Sequence, residues 1–283
     1  MQKEPTGLTD VYLLLQQVML DHLLHLLYDF LLRYAEPQLL FLPEFVKQES
    51  LESILNVACR GGEWTCEFAR RYPNIHVIGV DSRRSSVRDA QMIAAVRGLE
   101  NASFFERDLF HLPEKEKSYQ IVAGQFLSSS ITVKRQQALL NELVRVCVPG
   151  GHLLLFEVAL PQTSSESAQQ WIALLREKLL PATPFEDMLT PLTEQLTKAG
   201  CSSVQHLTQR LDISCGTPAY QALCEQIRSV FDFSSLVLIA NGWLSQEQPS
   251  MLHMQVLFDV LTDTFHGEWP LHTVIGRKQG ERP

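Results

Sequence analysis

A doubly wound α/β domain built on a mostly parallel sheet is predicted by three observations. Short apolar runs alternate with helical patterns from residue 52 to residue 160, the first run leads straight into a glycine pair, and an acidic residue closes the second. The first run, Ile54, Leu55, Val57 and Ala58 in SILNVACRGG, is continuous rather than alternating, as suits a strand covered on both faces. Gly61-Gly62 then lets the backbone turn tightly against a ligand, and a helix opens near Trp64. The second run, HVIGVD, ends in Asp81, whose carboxylate belongs at the carboxyl edge of the sheet, where folds of this class hold the ribose hydroxyls of a nucleotide. The third, ASFFERDL, ends near Asp108, and the fourth, YQIVAGQF, leads through Gln125. LLNELVRVCVPGGHLLLFEV supplies a helix, a Pro149-Gly150-Gly151 turn and a fifth strand. Right-handed crossovers join such units.

The flanks add helices. From Leu8 to Tyr34 apolar residues recur at helical spacing on more than one face, with Thr9 or Asp10 as N-cap. Such a helix, or pair of helices, must be buried against the core, a second subunit or a substrate chamber. After Leu160 the rhythm changes: Ser164 or Ser165 can cap a helix through about Leu180, and a second runs roughly from Pro184 to Lys198 and stops at Gly200. SVQHLTQRLDIS reads as a sixth strand and PLHTVIGRK as a seventh, with mostly helical periodicity from Tyr220 to His266 between them. The expected organisation is an amino-terminal helical cap (1–49), a core (50–160), cap or insert helices (161–200), and two last strands (201–283) with a helical insertion at about 217–266. The first two additions leave from the carboxyl edge and form the natural lid. The third serves equally well as lid or as interface between copies.

Composition narrows the partners. The chain has 283 residues, 45% of them hydrophobic, which is ordinary for a protein with a real core. A net charge of −8 and a pI near 5.6 argue against nucleic acid as the main partner, because phosphate backbones are held by clustered Lys and Arg. The nearest basic candidate, Arg70-Arg71 with Arg83-Arg84, is scattered over two loops and reads as solvated surface. The six cysteines form no C-x-x-C pair and have no histidine at metal-ligand spacing, so no metal is expected; they read as small buried hydrophobes in a reducing compartment. MQKEPTGLTD is too polar for a secretory signal, and Asp21, His22, His25 and Asp29 interrupt the apolar stretch that follows, which together point to a cytoplasmic protein without a membrane span. The leucine-rich amino-terminal helix suits a homodimer.

The spacing of these landmarks resembles the class I S-adenosylmethionine-dependent methyltransferases, from about Ser50 to about Leu160. That family carries an acid and a G-x-G-x-G turn after its first strand; the corresponding residues here are Asn56, Ala58, Arg60 and Gly62. The resemblance implies a Rossmann-like, seven-stranded, mostly parallel sheet whose last strand is antiparallel, with helices on both faces and helical caps. It implies S-adenosylmethionine as cofactor, with S-adenosylhomocysteine as product. Asp81, with the adjoining Ser82, would hold the ribose hydroxyls, Asp108-Leu109 the adenine, and Gln125 the methionine part. Asn56 removes a negative charge near the cofactor's ammonium group. Ala58 is tolerable there if its φ is negative. Arg60 either points to solvent or lies along the cofactor's carboxylate.

In-line displacement at a sulfonium needs nucleophile, methyl carbon and sulfur held collinear and dry. Candidates for a base or for substrate orientation are Glu157, just past the fifth strand, His111, following Asp108-Leu109-Phe110, and a tyrosine of the amino-terminal helix, Tyr28 above all, with Tyr12 and Tyr34 beside it. The expected reaction is O-, N- or C-methylation of a small, largely apolar or aromatic metabolite. The altered turn leaves two alternatives: a cofactor-binding protein with cyclase- or isomerase-type catalysis, and a non-enzymatic binding subunit. A nicotinamide-dependent dehydrogenase is disfavoured, since A-C-R-G-G is not G-x-G-x-x-G.

Overall fold

Alternation along β1 (Ser53–Val57) sets the two faces of the sheet in the computed structural model, which describes residues 30–35, 42, 51–127, 131, 133–178, 185–245 and 248–280. Leu55 and Val57 enter a buried cluster with Leu139, Leu143 and Leu196. Asn56 points the opposite way and donates from Nδ2 to Thr65 Oγ1 at 2.8 Å. These partners lie on α1 (Glu63–Arg71), α3 (Val133–Val146) and α5 (Phe185–Ala199), so helices cover both faces. α2 (Arg84–Arg97) joins the α1 side, where Val87, Ala90 and Ala94 bury against Cys59 and Phe104.

The chain divides into two compact units: a core of 36–159, 183–209 and 270–283, and a helical unit of 1–35, 160–182 and 210–269. In the core, β2 (His76–Asp81), β3 (Ala102–Glu106), β4 (Tyr119–Gln125) and β5 (Cys147–Val158) pair in parallel with β1 in the order β3-β2-β1-β4-β5. β8 (Gly267–Lys278) then lies antiparallel to β5, from His152 opposite Arg277 to Val158 opposite Leu271. β7 (Cys201–Asp212) pairs with β8. Gln279 N donates to Gly200 O at 3.0 Å and Ile213 N to Gly267 O at 2.9 Å, so those two strands are antiparallel as well.

Two local readings change. Pro149-Gly150-Gly151 is not a turn before β5 but part of it, with Gly150 at φ 76° where the β4–β5 register slips between Tyr119 and Ile121; an irregular pair absorbs the extra backbone that a separate turn would have used. The helices expected as one insert also part company. α5 buries Leu192 and Leu196 in the core cluster, whereas α4 (Glu166–Lys178) belongs to the helical unit.

The helical unit holds α4, α6 (Pro218–Ala240), α7 (Gln248–Val260) and β6 (Gln162–Thr163), a two-residue strand with no sequence signal that pairs with Glu268 and Gly267. Its ends are capped as their residues dictate. Ser165 Oγ accepts from Ala168 N at 3.0 Å, and Thr217 Oγ1 accepts from Tyr220 N at 3.1 Å with Pro218 at the first helical position. Trp171, Phe231, Leu238, Val256 and Phe265 form its core.

Candidate functional site

Strand register assembles the site. Val57 lies between Val80 of β2 and Gly124 of β4, so the residues that follow, Ala58, Asp81 and Gln125, reach the carboxyl edge side by side. Asp81 is also aligned with Glu106 of β3, which leads to Asp108, and Gln125 with Phe156 of β5, which leads to Glu157. This is the edge at which parallel α/β sheets bind ligands.

The turn after β1 is wound with positive φ at alternate residues: Ala58 at 57°, Arg60 at 51° and Gly62 at 83°. The condition under which a methyl group at Ala58 would be tolerable, negative φ, is therefore not met. These are the positions that align with the three glycines of G-x-G-x-G, which states in backbone terms what that pattern is for. Hydrogen bonds hold the unfavourable conformers: Cys59 N donates to Val80 O at 3.0 Å, Gly62 N to Cys59 O at 2.9 Å, and Arg60 N to Asp81 Oδ2 at 3.0 Å. Gly62 has a second constraint, since a Cβ there would lie 2.5 Å from Ala90 Cβ and 2.8 Å from the Phe104 ring.

Asp81 is buried at 4% exposure and accepts two backbone donors, Arg60 N and Arg83 N, the latter at 2.9 Å to Oδ1. Each oxygen keeps a lone pair for a ligand hydroxyl. Ser82 beside it is exposed. Arg60 is 9% exposed, so its side chain does not point to solvent. Glu63, which the sequence reading passed over, is buried at 6% in the first turn of α1, three residues from Arg60; its signal was an acid just after the glycine pair, at the positive end of a helix.

Two amides have unmet hydrogen-bonding capacity. Gln125 is 1% exposed and neither amide atom has a partner among the described residues; Asn56 is fully buried, and its Oδ1 has none among them either. An unmet buried polar group costs about 1–3 kcal/mol, and buried amides at a ligand-binding edge are the groups a polar ligand satisfies.

Asp108 and Leu109 differ in character. Leu109 is buried, while Asp108 is exposed and accepts from Phe110 N at 3.0 Å and from His111 Nδ1 at 3.2 Å. The Phe110 amide, and then His111, hold the Asp108 carboxyl below its ordinary value. His111 is thus engaged at the β3 end of the edge, whereas Glu157 is buried at the β5 end. Glu157 stands opposite His272 of β8. His272 is buried, and its Nδ1 lies 3.0 Å from His206 Nε2 and 3.1 Å from Thr208 Oγ1. Neither histidine carried a motif; pairing of distant strands sets His272 opposite Glu157 and His206 beside His272. Tyr12 and Tyr28 lie outside the described residues, and Tyr34 is half-buried in the helical unit, 5.2 Å from Phe30. Among the described residues no group of three or more His, Cys, Asp or Glu could hold a metal, and no helix is long and apolar enough to cross a membrane. The six cysteines are free.

A sequence family described as "Methyltransferase domain" matches residues 54–151. An uncharacterized protein of Haemophilus influenzae is 27% identical over 110 residues, 38% of this chain and 43% of its own length, so the match spans less than half of that relative. Among solved structures, the YcgJ protein of Bacillus subtilis is similar with a TM-score of 0.53 at 16% identity, covering 82% of this chain and 94% of its own. A protein of Bacillus halodurans named as a candidate methyltransferase gives 0.50 at 15% identity over 83% and 95%. The [4+2]-cyclase SpnF gives 0.50 at 19% identity over 81% and 75%. At these identities the structures establish the fold, a mostly parallel α/β sheet with antiparallel last strands.

Proposed function

We propose, from the premise that residues 54–151 are a methyltransferase domain of the class I, Rossmann-like family, that this chain transfers a methyl group from S-adenosylmethionine to a small, largely apolar or aromatic acceptor. The observation that carries the reading is Asp81, a buried carboxylate fastened by Arg60 N and Arg83 N with lone pairs left over, against a turn of alternating positive φ. The residues present fit the cofactor. Asp81 would accept from both ribose hydroxyls, Asn56 Oδ1 from the ammonium group, and the Gln125 amide would bond the methionine part, which meets the capacity those two amides lack without a ligand. Leu109 would cover the adenine, with Asp108 accepting from its exocyclic amine.

Bound there, the cofactor supplies an electrophilic methyl carbon on a positively charged sulfur. The chain's own task is to orient the acceptor and exclude water. Glu157, with His272 opposite it, and His111, which also bonds Asp108, are the candidates for taking the acceptor's proton. Acceptor size and polarity rest on the net charge of −8, which disfavours polyanions.

Calorimetric titration with S-adenosylhomocysteine tests the reading, followed by transfer of a labelled methyl group to a panel of phenols, amines and enolisable ketones. Heat of binding and labelled product are expected. No heat in the folded chain would sink the proposal, and binding without transfer to any acceptor would move it to a cofactor-binding protein with other chemistry.

A further inference from the structure

We propose that the helical unit binds a small apolar ligand, a single aromatic ring with short alkyl substituents, in a cavity between α4 and α6. Helix spacing produces the cavity. α4 presents Ala168, Trp171, Ile172 and Leu175 to it, an i, i+3, i+4, i+7 stripe, and α6 presents Leu223, Gln226, Ile227 and Val230 at the same repeat. Two such stripes ordinarily mesh with helix axes roughly 8–10 Å apart. Here α7 packs on both helices, adding Val256 and Val260 to the lining, while the backbones of α4 and α6 rarely approach each other. The stripes meet where Trp171 stacks on Phe231, and beside that contact they line about 180 Å³ of space. Leu223, Gln226, Ile227 and Val230 are only half-buried, although they lie on the inner face of α6, whereas Phe231 of the same helix is buried.

Size and lining select the ligand. An apolar cavity of about 150 Å³ stays dry and admits benzene. At about 180 Å³ there is room for that ring and a few more carbons. No described lining residue is charged; the polar side chains are Thr163, Gln226, Trp269 and Trp171, whose indole N–H is buried without a hydrogen-bond partner among the described residues. Aromatic walls favour an aromatic guest. Trp171 stacks on Phe231 with ring centres 4.2 Å apart, and Phe30 meets Trp269 at 5.7 Å. The inference does not rest on methyl transfer.

The test titrates the full chain with toluene, and with benzoate as a charged ring of similar size, by calorimetry and thermal unfolding. Toluene binds saturably and raises the melting temperature; benzoate does neither. Ile227→Phe and Val230→Phe, two independent fillings from half-buried positions, weaken toluene binding about tenfold or more. Met254→Phe, at a site 68% exposed, leaves it unchanged. S-adenosylhomocysteine titrated into the same samples reads the core unit separately, so the two proposals fail independently. Absence of saturable toluene binding in the folded chain, or equal binding by both filled variants, overturns the inference.

Discussion

Ala58 and Arg60 hold φ of 57° and 51°, a region that costs a non-glycine residue about 1–2 kcal/mol. Ala58→Gly should therefore stabilise the protein by about 1 kcal/mol, a rise in midpoint in a urea titration, since the lost methyl group matters less than the relieved conformer. An unchanged or lower midpoint would mean that the surrounding hydrogen bonds, not glycine-like freedom, dominate this turn. Asp81 acts in the opposite sense. Asp81→Asn replaces one acceptor by a donor facing a backbone N–H, which should cost about 1–3 kcal/mol of stability and weaken S-adenosylhomocysteine binding at least about tenfold. Calorimetry on the folded variant separates the two losses.

Between elements, Glu142 and Arg145 fasten the β3–β4 connection to α3. Glu142 accepts from Leu112 N at 2.6 Å and from Arg145 at 2.7 Å through both oxygens, and Arg145 donates onward to Leu112 O and Glu114 O. The Arg145 guanidinium, first among causes, holds the Glu142 carboxyl below its ordinary value of 4.5. A folded pKa below the unfolded one contributes stability that is complete above about pH 5 and lost as pH falls through the folded value. Glu142→Gln should flatten the fall of stability below about pH 4.5 in denaturant melts; an identical slope would remove the pair from acid unfolding. At α6, Thr217→Ala removes the cap to Tyr220 N and should cost about 1 kcal/mol, again read as a shift in urea midpoint.

For the whole molecule, ligand linkage supplies the broadest test. S-adenosylhomocysteine at about 100 times its dissociation constant should add about 2.7 kcal/mol to the unfolding free energy. If only the core unit of 36–159, 183–209 and 270–283 responds in hydrogen exchange, the cofactor site lies wholly within it, as its residues do. Protection confined to the helical unit would contradict that placement.

Local chemistry was enough to announce β1, β2, β4, β5 and the helices between them, because a strand covered on both faces must be a continuous apolar run and a helix must repeat its apolar positions every three or four residues. It also placed Asp81 and Gln125 at strand ends, and Ser164 or Ser165 as a cap, between which the structure selects Ser165. The sign of φ at Ala58 was illegible: no residue type there asks for positive φ, and only hydrogen bonds to Val80 and Asp81 impose it. The burial of Arg60, the pairing of Glu157 with His272, and the gap between α4 and α6 likewise depend on residues far apart in sequence. Sequence by itself determined the order of the strands along the chain and which residues end them, since these follow from local pattern. Tertiary structure alone decided which ends meet, which charges are buried and where two helices fail to close, because register and packing are set by partners that no local window contains.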